Sequence, residues 1–543
     1  MSPLEPARLA RLAALPALVA ALMVSPSLAP VARATPAPSP SDDPPWVSPG
    51  GGGDDDTPTE PEPGETSYEP DPDLEKDDDQ LDDEGEPPAP KTLPPDGRAL
   101  RPGLPWLDRD LVQPRTHPAG RSAATLGFAS IDDDCFVELT IGHVFKLGDH
   151  GQWRIAPRLP LRFRLFDGEP ETDAVIREED WDEVSDWARV LAFVHYGRID
   201  DPLVFRYGEL TGVTIGHGAL VNRYSNTIDI DHYQGGVFFA GDLGFMGGEV
   251  VLNDVFAPDL LAGRAYMRPF DGLKKLALPI RGFKVGLTLG ADFAAPVAVD
   301  IGEGGLFATP ENNPIVLADR FLPMMALDFE VPVLSTPHFD LVPYFDLATL
   351  DFETIGLHLG TFFNVRFDPK ATLRLRLEYR FVGEDHVPGY VSPFYEVERY
   401  SWLGGLPKLG ALEELVAEEA LGAAHHGAHI EADLALERRL ALGFVFTSNG
   451  RDRGNDLLAR LRLERLGPVR LTLFFARLGF SGVDDLFAAD RTLGGLSVRV
   501  TFDPFFVTGR ILHEWRLRPD EDGRSGFETI LTWSLGGGVM VRL

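Results

Sequence analysis

The stretch that decides the fold is Phe527-Glu-Thr-Ile-Leu-Thr-Trp-Ser-Leu-Gly-Gly-Gly-Val-Met-Val-Arg-Leu543. Most of its odd-numbered positions are apolar, including Phe527, Trp533, Leu535 and Leu543. Successive side chains of a β-strand point to opposite sides, so this spacing gives one apolar face and one mixed face. We therefore expect the stretch to be the closing strand of a transmembrane β-barrel.

The same two-faced pattern recurs from about Thr125 onward. In the stretch from Ala371 to Phe381, Leu and aromatic residues alternate with Arg374, Arg376, Glu378 and Arg380. Such segments are separated by Gly, Asp, Pro and Asn, which is typical of membrane β-barrels. We expect an all-β fold, a transmembrane antiparallel up-and-down β-barrel of about 16 strands, within about 14 to 18. A soluble β-sandwich, whose charged face would meet water, is the alternative.

The 543-residue chain carries a formal net charge of −34, and this charge is unevenly distributed. Between Asp42 and Glu86 there are 19 acidic residues and one lysine, Lys76, which together contribute −18. No basic tract indicates a nucleic-acid partner. The mean hydropathy of −0.08 is too polar for a bundle of membrane-spanning helices but suits a barrel with a polar lumen. Cys135 is the single cysteine, so no intrachain disulfide is expected.

Composition divides the chain into three regions. Residues 1–34 have the features of a secretory signal peptide, with two arginines before an apolar run and small residues around a cleavage site after Ala34. Residues 35–124 are rich in Pro, Gly, Asp and Glu, so we expect a disordered segment. Residues 125–543 form the predicted barrel. Because both ends of an even-stranded barrel lie on one side, we expect the acidic segment to be periplasmic.

From about Thr125, and with its export signal, the chain resembles the porin-like outer-membrane β-barrel proteins of Gram-negative bacteria. The stretches Tyr207–Tyr224 and Glu378–Tyr390 are similar to segments of uncharacterised predicted members. The resemblance implies a location in the cell outer membrane and either a monomer or a homotrimer. It also implies membrane lipid, lipopolysaccharide and the barrel-assembly machinery as partners. Chains of that group usually end in an aromatic residue, whereas Leu543 takes that place here.

The predicted lumen face is rich in arginine. Its candidate lining and selectivity residues are Arg162, Arg164, Arg374, Arg376, Glu378, Arg380, Arg460, Arg462 and Arg499. Rings of arginine in a water-filled pore favour anions, and guanidinium groups suit carboxylates and phosphates. One interpretation is a passive pore for small anionic solutes. The other is a network in which these arginines pair with acids and fill the barrel.

Two further stretches carry candidate site residues. Gly208 to Tyr224 combines several glycines with His217, Asn222 and Arg223. Glycines in strands mark bulges or close backbone approach. We expect a kinked strand whose histidine is held by structural contacts; the alternative is that His217, Asn222 and Arg223 line the lumen as ligands.

The long loop from Val382 to Ala428 carries Tyr390, Tyr395, Tyr400 and Trp402 in its first half and a helical pattern from Ala411. It is either a constriction loop folded into the pore or a cover over the barrel mouth.

Signals for catalysis are weak. The chain has no G-x-S-x-G and no H-E-x-x-H motif, and we predict no enzyme activity, no cofactor and no metal site. Two rivals to the pore stay open. The first is a lipid-acting outer-membrane enzyme, for which His143, His195, His217 and His232 are candidates. The second is a closed structural or adhesion barrel.

Overall fold

The computed structural model describes residues 121–542, apart from 132–133, 149–151, 169–173, 198–200, 274, 303–304, 310–311, 369–370, 384–385, 403–405, 418–423, 437–439, 449–453, 487–491 and 520–523. The predicted signal peptide (1–34) lies outside the described residues, as does the predicted disordered segment up to residue 120. Leu543 also lies outside them. The last four residues of the predicted disordered segment, 121–124, belong to the first strand.

Twenty antiparallel strands form one closed barrel. In chain order they are β1 Arg121–Ile131, β2 Asp134–His143, β3 Trp153–Phe166, β4 Leu191–Tyr196, β5 Leu203–Gly208, β6 Gly236–Asp242, β7 Met246–Leu252, β8 Leu260–Met267, β9 Lys284–Val299, β10 Val316–Glu330, β11 Phe339–Leu350, β12 Gly356–Asp368, β13 Ala371–Val382, β14 His425–Leu436, β15 Leu440–Ser448, β16 Asn455–Leu466, β17 Val469–Phe480, β18 Thr492–Phe502, β19 Phe505–Pro519 and β20 Arg524–Arg542. Each strand pairs with its neighbours in sequence, and β1 pairs with β20 to close the ring.

Short elements lie in the connections between the barrel strands. The helices are α1 Leu278–Arg281, α2 Tyr395–Glu398 and α3 Lys408–Ala417, with 3-10 turns at Glu178–Asp180, Ser185–Val190 and Val483–Asp485. Four short strands, Phe145–Leu147, Ile301–Gly302, Gly305–Phe307 and Leu334–Ser335, add to the sheet. In the described parts of the chain, every helix is too short or too polar to cross a membrane.

The predicted fold class is confirmed, whereas the predicted number of about 16 strands is wrong. Strands β4 and β5 have only six residues each, fewer than the ~9–11 of a typical transmembrane strand, so an estimate based on that length gives too few strands. Strand β1 begins within the region predicted to be disordered. It nevertheless pairs with β2 from Ser122 to Ile131.

The side chains of each strand divide between the two surfaces of the barrel. On β13, Leu377 and Tyr379 point outward and are 41% and 45% exposed, whereas Arg376 and Glu378 point inward and are 1% and 4% exposed. Other exposed outward residues are Leu126, Phe128, Leu359, Phe444, Leu473, Ile511, Leu531 and Leu535. An apolar outer surface around a polar interior is the arrangement that a bilayer requires of a β-barrel.

The two ends of the barrel differ in their connections. Arg121 of β1 pairs with Arg542 of β20, and we call this end of the barrel the terminal end. The three longest connections, 167–190, 209–235 and 383–424, all leave from the opposite end. We name residues 209–235 the first interior segment and residues 386–402 together with 406–417 the second interior segment.

Both interior segments lie within the barrel and pack on each other. Val221 and Val391 form a parallel backbone bridge, and the Asn222 N–H donates to the Val391 carbonyl oxygen at 2.9 Å. One apolar cluster joins both segments to Val204, Val251, Leu322 and Met324 of the wall. A second cluster joins Ile228, Phe394 and Val397 to Val445, Leu458, Phe474 and Leu512. The part of the lumen that these wall residues surround is therefore occupied by the connections between the strands.

The prediction of a kinked strand from Gly208 to Tyr224 is wrong. Strand β5 ends at Gly208, and the following residues belong to the first interior segment. Gly212, Gly216 and Gly218 adopt φ angles of 65°, 60° and 84°. These left-handed conformations turn the chain away from a regular ladder. Strand β6 begins only at Gly236, because residues 228–235 complete the first interior segment.

Candidate functional site

A tight turn of the first interior segment places His217 against the barrel wall. The Gly218 N–H donates to the Ile215 carbonyl oxygen at 3.0 Å and closes the turn. Gly218 adopts a φ of 84°, a left-handed conformation that favours glycine, and a Cβ atom there would lie 2.7 Å from Asn222 Oδ1. The turn thus fixes the position from which His217 reaches β10 and β11.

His217 bridges two carboxylates of the wall. Its Nδ1 atom lies 2.7 Å from Asp346 Oδ1, and its Nε2 atom lies 3.2 Å from Glu330 Oε2. The ring stacks on Tyr344 with centroids 4.2 Å apart. Burial opposes the charge on this imidazole, but the carboxylates raise the pKa of His217 to about 9. At neutral pH the residue is a buried cation that holds the first interior segment against the wall.

His217, Asp328 and Asp346 have the composition of a metal site. One ligand atom of each lies within 4.8 Å of the others, and all three residues are buried. Arg264 donates two hydrogen bonds to Asp328, at 2.8 and 2.5 Å. Both ring nitrogens of His217 also face carboxylates. The group is therefore explained by ion pairing, and a metal would have to displace these contacts.

Asn222 and Arg223 were predicted as lumen ligands together with His217. Arg223 adopts a φ of 58° and is 2% exposed, and its guanidinium pairs with Glu431 of β14. Asn222 holds the second interior segment through its backbone N–H. Arg223 therefore faces β14 and Asn222 lies against the second interior segment, while His217 faces β10 and β11. The three predicted ligands do not converge on one point.

Glu378 is the centre of a buried charge network on the wall. Arg376 Nη2 and Arg380 Nε each donate to it at 2.5 Å, and His358 Nδ1 lies 3.0 Å away. The Tyr344 hydroxyl also donates to this carboxylate. Of the predicted selectivity residues, Arg376, Glu378 and Arg380 thus lie against the interior segments with their charges paired.

Four more of the predicted lumen arginines lie closer to the terminal end. We call Arg374, Arg460, Arg462 and Arg499 the arginine patch. Across the sheet, Arg374 of β13 aligns with Asp433 of β14, which aligns with Gly443 of β15. Gly443 in turn aligns with Arg460 of β16. Arg374, Arg462 and Arg499 are half-buried, so this part of the lumen is less tightly filled than the level of Glu378.

The remaining two predicted arginines lie on β3, near the end opposite the termini. Arg162 pairs with Glu138 at 3.2 Å and with Asp180 at 2.8 Å. Arg164 Nε lies 3.4 Å from Asp134 Oδ2. These arginines hold the connection 167–190 and the β1–β2 edge, and they do not join the arginine patch.

The predicted constriction-loop residues surround a lysine in the second interior segment. The Lys408 ammonium lies 5.3 Å from the ring centroid of Tyr390, 5.9 Å from that of Tyr395 and 5.5 Å from that of Trp402. Tyr400 faces the guanidinium of Arg399 at 5.2 Å. Tyr390 and Tyr395 are 1% and 0% exposed. Their proposed role in constricting a pore stays a prediction.

Sequence reasoning did not single out the polar anchors of the second interior segment. Lys408 Nζ donates to Glu398 Oε2 at 2.5 Å, and Arg399 Nη2 donates to Asp292 Oδ1 of β9 at 3.3 Å. The Tyr224 hydroxyl donates to Glu396 and joins the two interior segments. The only signal in the sequence was an unusual density of aromatic residues from Tyr390 to Trp402.

The described histidines give limited support to an enzyme. Ser122 Oγ and His143 Nδ1 are 2.8 Å apart across β1 and β2. No hydrogen bond within the described part of the chain joins His143 to a carboxylate that would orient it, as a catalytic triad requires. His217 and His232 are held by carboxylates in structural contacts.

No protein-family model matches the chain, and none of the curated proteins matches it in sequence. Among solved structures, the siderophore receptor PirA from Acinetobacter baumannii is 9% identical, and the match covers 78% of this chain and 80% of the receptor with a TM-score of 0.33. A mutant of the Rh. blastica porin is 8% identical, with 78% and 99% covered and a TM-score of 0.25. Wzi from Escherichia coli, a carbohydrate-binding β-barrel involved in capsule assembly, is 9% identical, with 78% and 84% covered and a TM-score of 0.30.

With TM-scores from 0.25 to 0.33, these structures are only weakly similar to the chain. The ring of strands in this chain is closed, and its outward side chains are apolar. The fold is that of an outer-membrane β-barrel. A closed ring leaves no unpaired strand edge in lipid, and the apolar outer surface of this barrel matches the hydrocarbon layer.

Proposed function

We propose that the protein is an outer-membrane channel of low conductance for small anionic solutes, narrowed by its two interior segments. The arginine patch is the observation that carries the proposal. Arg374 of β13, Arg462 of β16 and Arg499 of β18 are half-buried on the lumen side of the wall, in the less tightly filled half of the lumen. Guanidinium groups in a confined aqueous space attract anions and exchange hydrogen bonds with their hydration shell.

In this mechanism the arginine patch selects solutes by charge, and the interior segments select them by size. The wall beside Arg460 carries the small residues Ala441 and Gly443, which leave space on the lumen side of β15. Beyond this level, Arg376 and Arg380 are engaged by Glu378 and the lumen is packed. Passage is therefore slow and restricted to small solutes. No cofactor takes part in such diffusion.

The proposal includes an orientation in the outer membrane. The terminal end faces the periplasm, and the three long connections enter from the outer surface, where lipopolysaccharide lies. Outer-membrane barrels have short periplasmic turns and longer extracellular loops, which supports this orientation. Export by the signal peptide, insertion by the barrel-assembly machinery and assembly as a monomer or a homotrimer belong to the same proposal.

A closed structural barrel is the second candidate function. The two apolar clusters and the Glu378 network favour it, because they fill the lumen with contacts that are typical of a protein core. In that case the arginine patch would only keep the inner surface of the barrel hydrated and would not select solutes. The two candidates differ in whether the reconstituted protein carries a current.

The test is the reversal potential of the full chain in a planar lipid bilayer under a potassium chloride gradient. The proposal expects a small current with anion preference. In the double variant Arg374→Glu, Arg462→Glu, the preference should shift toward cations. The control Arg281→Glu reverses the same charge on α1, in the connection between β8 and β9, and should keep the anion preference. A reversal potential that the double variant leaves unchanged would refute the role of the patch.

A further inference from the structure

A cavity of about 80 Å³ lies between the two interior segments and the wall strands β13 to β17. Its polar and aromatic lining includes Asn222, Arg223, Arg380, Phe394, Trp402 and Lys408. A water molecule takes roughly 30 Å³ of liquid volume, so the space suits a ligand of a few non-hydrogen atoms. The cavity is thus built jointly by both interior segments and the barrel.

Arg380 is the residue whose hydrogen bonding indicates a ligand. It is 2% exposed, and its Nε atom donates to Glu378. Its Nη2 atom has no hydrogen-bond partner within the described part of the chain. A buried guanidinium donor without an acceptor is costly, because it has lost its hydration without replacement. An acceptor atom in the cavity would remove that cost.

The other two cations that line the cavity each pair with a carboxylate and still contribute positive charge to the cavity. Arg223 pairs with Glu431, and Lys408 donates to Glu398. The Lys408 ammonium has three donors, and one of them is taken by Glu398. Three cations around a small space favour an anion within it.

Two carboxylates also line the cavity, and both are engaged. Glu398 accepts hydrogen bonds from Lys408 and from Ser392 Oγ, the latter at 2.7 Å. Asp456 Oδ1 accepts the Gly479 N–H at 2.9 Å. Their charges are therefore directed at donors of the chain, whereas Arg380 Nη2 is not directed at an acceptor.

We propose that this cavity binds a small monocarboxylate, with the carboxylate accepting from Arg380 and Lys408 and the carbon atoms against Phe394 and Trp402. The planar carboxylate matches the hydrogen-bonding geometry of a guanidinium group, and the two aromatic rings favour an organic anion over an inorganic one. This inference rests on the proposed function for the route by which the anion arrives. It deepens that function by naming the ligand class.

The test is the thermal unfolding midpoint of the full-length protein in detergent, titrated with sodium acetate or sodium lactate against sodium chloride at constant ionic strength. Binding to the folded state alone raises the midpoint as the ligand concentration grows. We expect a saturable rise with the carboxylates that chloride does not reproduce. This readout requires no conduction, so it can succeed or fail independently of the channel proposal.

Two variants make the test specific. Arg380→Lys keeps the charge beside Glu378 but removes the Nη2 donor, and Val445→Phe fills the cavity from β15. Each should weaken the apparent affinity for acetate at least tenfold. The control Arg366→Lys changes a buried arginine that pairs with Asp340 away from the cavity, and it should keep the wild-type affinity. A carboxylate effect equal to that of chloride, or one that both cavity variants retain, would overturn the proposal.

Discussion

His217 Nδ1 lies 2.7 Å from Asp346 Oδ1, and this contact joins two residues that are 129 positions apart in the chain. It ties the first interior segment to strand β11 from inside the barrel. The second interior segment is packed on the first, so the position of both depends on this anchor. The filling of the lumen is therefore built on a few buried ionic contacts as well as on apolar packing.

Replacing His217 with alanine should release the first interior segment from the wall. Removing one partner of a buried ion pair leaves the carboxylates uncompensated, and we expect a loss of about 3 kcal/mol in the free energy of unfolding. Limited proteolysis should cut within residues 209–235 faster than in the wild type. The control His338→Ala alters an exposed histidine in the connection between β10 and β11 and should have little effect. Equal proteolysis of both variants would show that His217 is not an anchor.

The contact between His232 and Asp229 predicts a pH-dependent stability. His232 Nδ1 lies 2.8 Å from Asp229 Oδ2; burial opposes the charge, but Asp229 raises the pKa of His232 to about 10. A folded-state pKa above the unfolded value of about 6.5 means that the stabilisation is complete below pH 6.5 and is lost as the pH rises toward 10.

The measurement compares urea unfolding of the wild type and of His232→Gln across this pH range. Below about pH 6.5 the variant should be less stable by about 2 kcal/mol, the typical contribution of a charged hydrogen bond. The difference should shrink steadily toward pH 10. A difference that is constant with pH would mean that His232 is neutral in the folded protein.

Because the outer surface of β13 is apolar, a charge placed on it should destabilise the protein in a bilayer. Leu377 points outward near the middle of its strand, and Leu377→Lys should lower the free energy of unfolding from lipid vesicles by about 2–4 kcal/mol. The control Val483→Lys places the same charge at a residue that is 79% exposed, in the connection between β17 and β18, and should cost less than about 0.5 kcal/mol. Similar losses in both variants would argue against a membrane around β13.

The sequence predicted the wall of the barrel far better than its interior. Alternation in the stretch from Leu373 to Phe381 identifies a strand without knowledge of its partners, because the two faces of that strand meet different surroundings. The side on which Arg376 and Glu378 lie follows from the same pattern. The closure by β1 was missed, since residues 121–124 adjoin a proline-rich tract that dominates the local composition.

The interior segments were misjudged for a physical reason. Val213 and Ile215 alternate with polar residues as they would in a strand, and the burial of both comes from the lumen instead of a lipid or sheet surface. Periodicity reports burial and does not identify what covers the residue. Pairs such as Arg223 with Glu431 join residues more than two hundred positions apart, and a single sequence holds no signal for them.

The most direct test of a channel narrowed by its own connections is the single-channel conductance of a variant without the second interior segment. Val382 and His425 face each other across β13 and β14, so an Asn-Gly turn can replace residues 383–424 and keep the hairpin. We predict a small, anion-selective conductance for the wild type and a several-fold larger conductance for the deletion variant, with the anion preference retained. A wild-type conductance that the deletion leaves unchanged, or an absence of current in both proteins, would contradict the account.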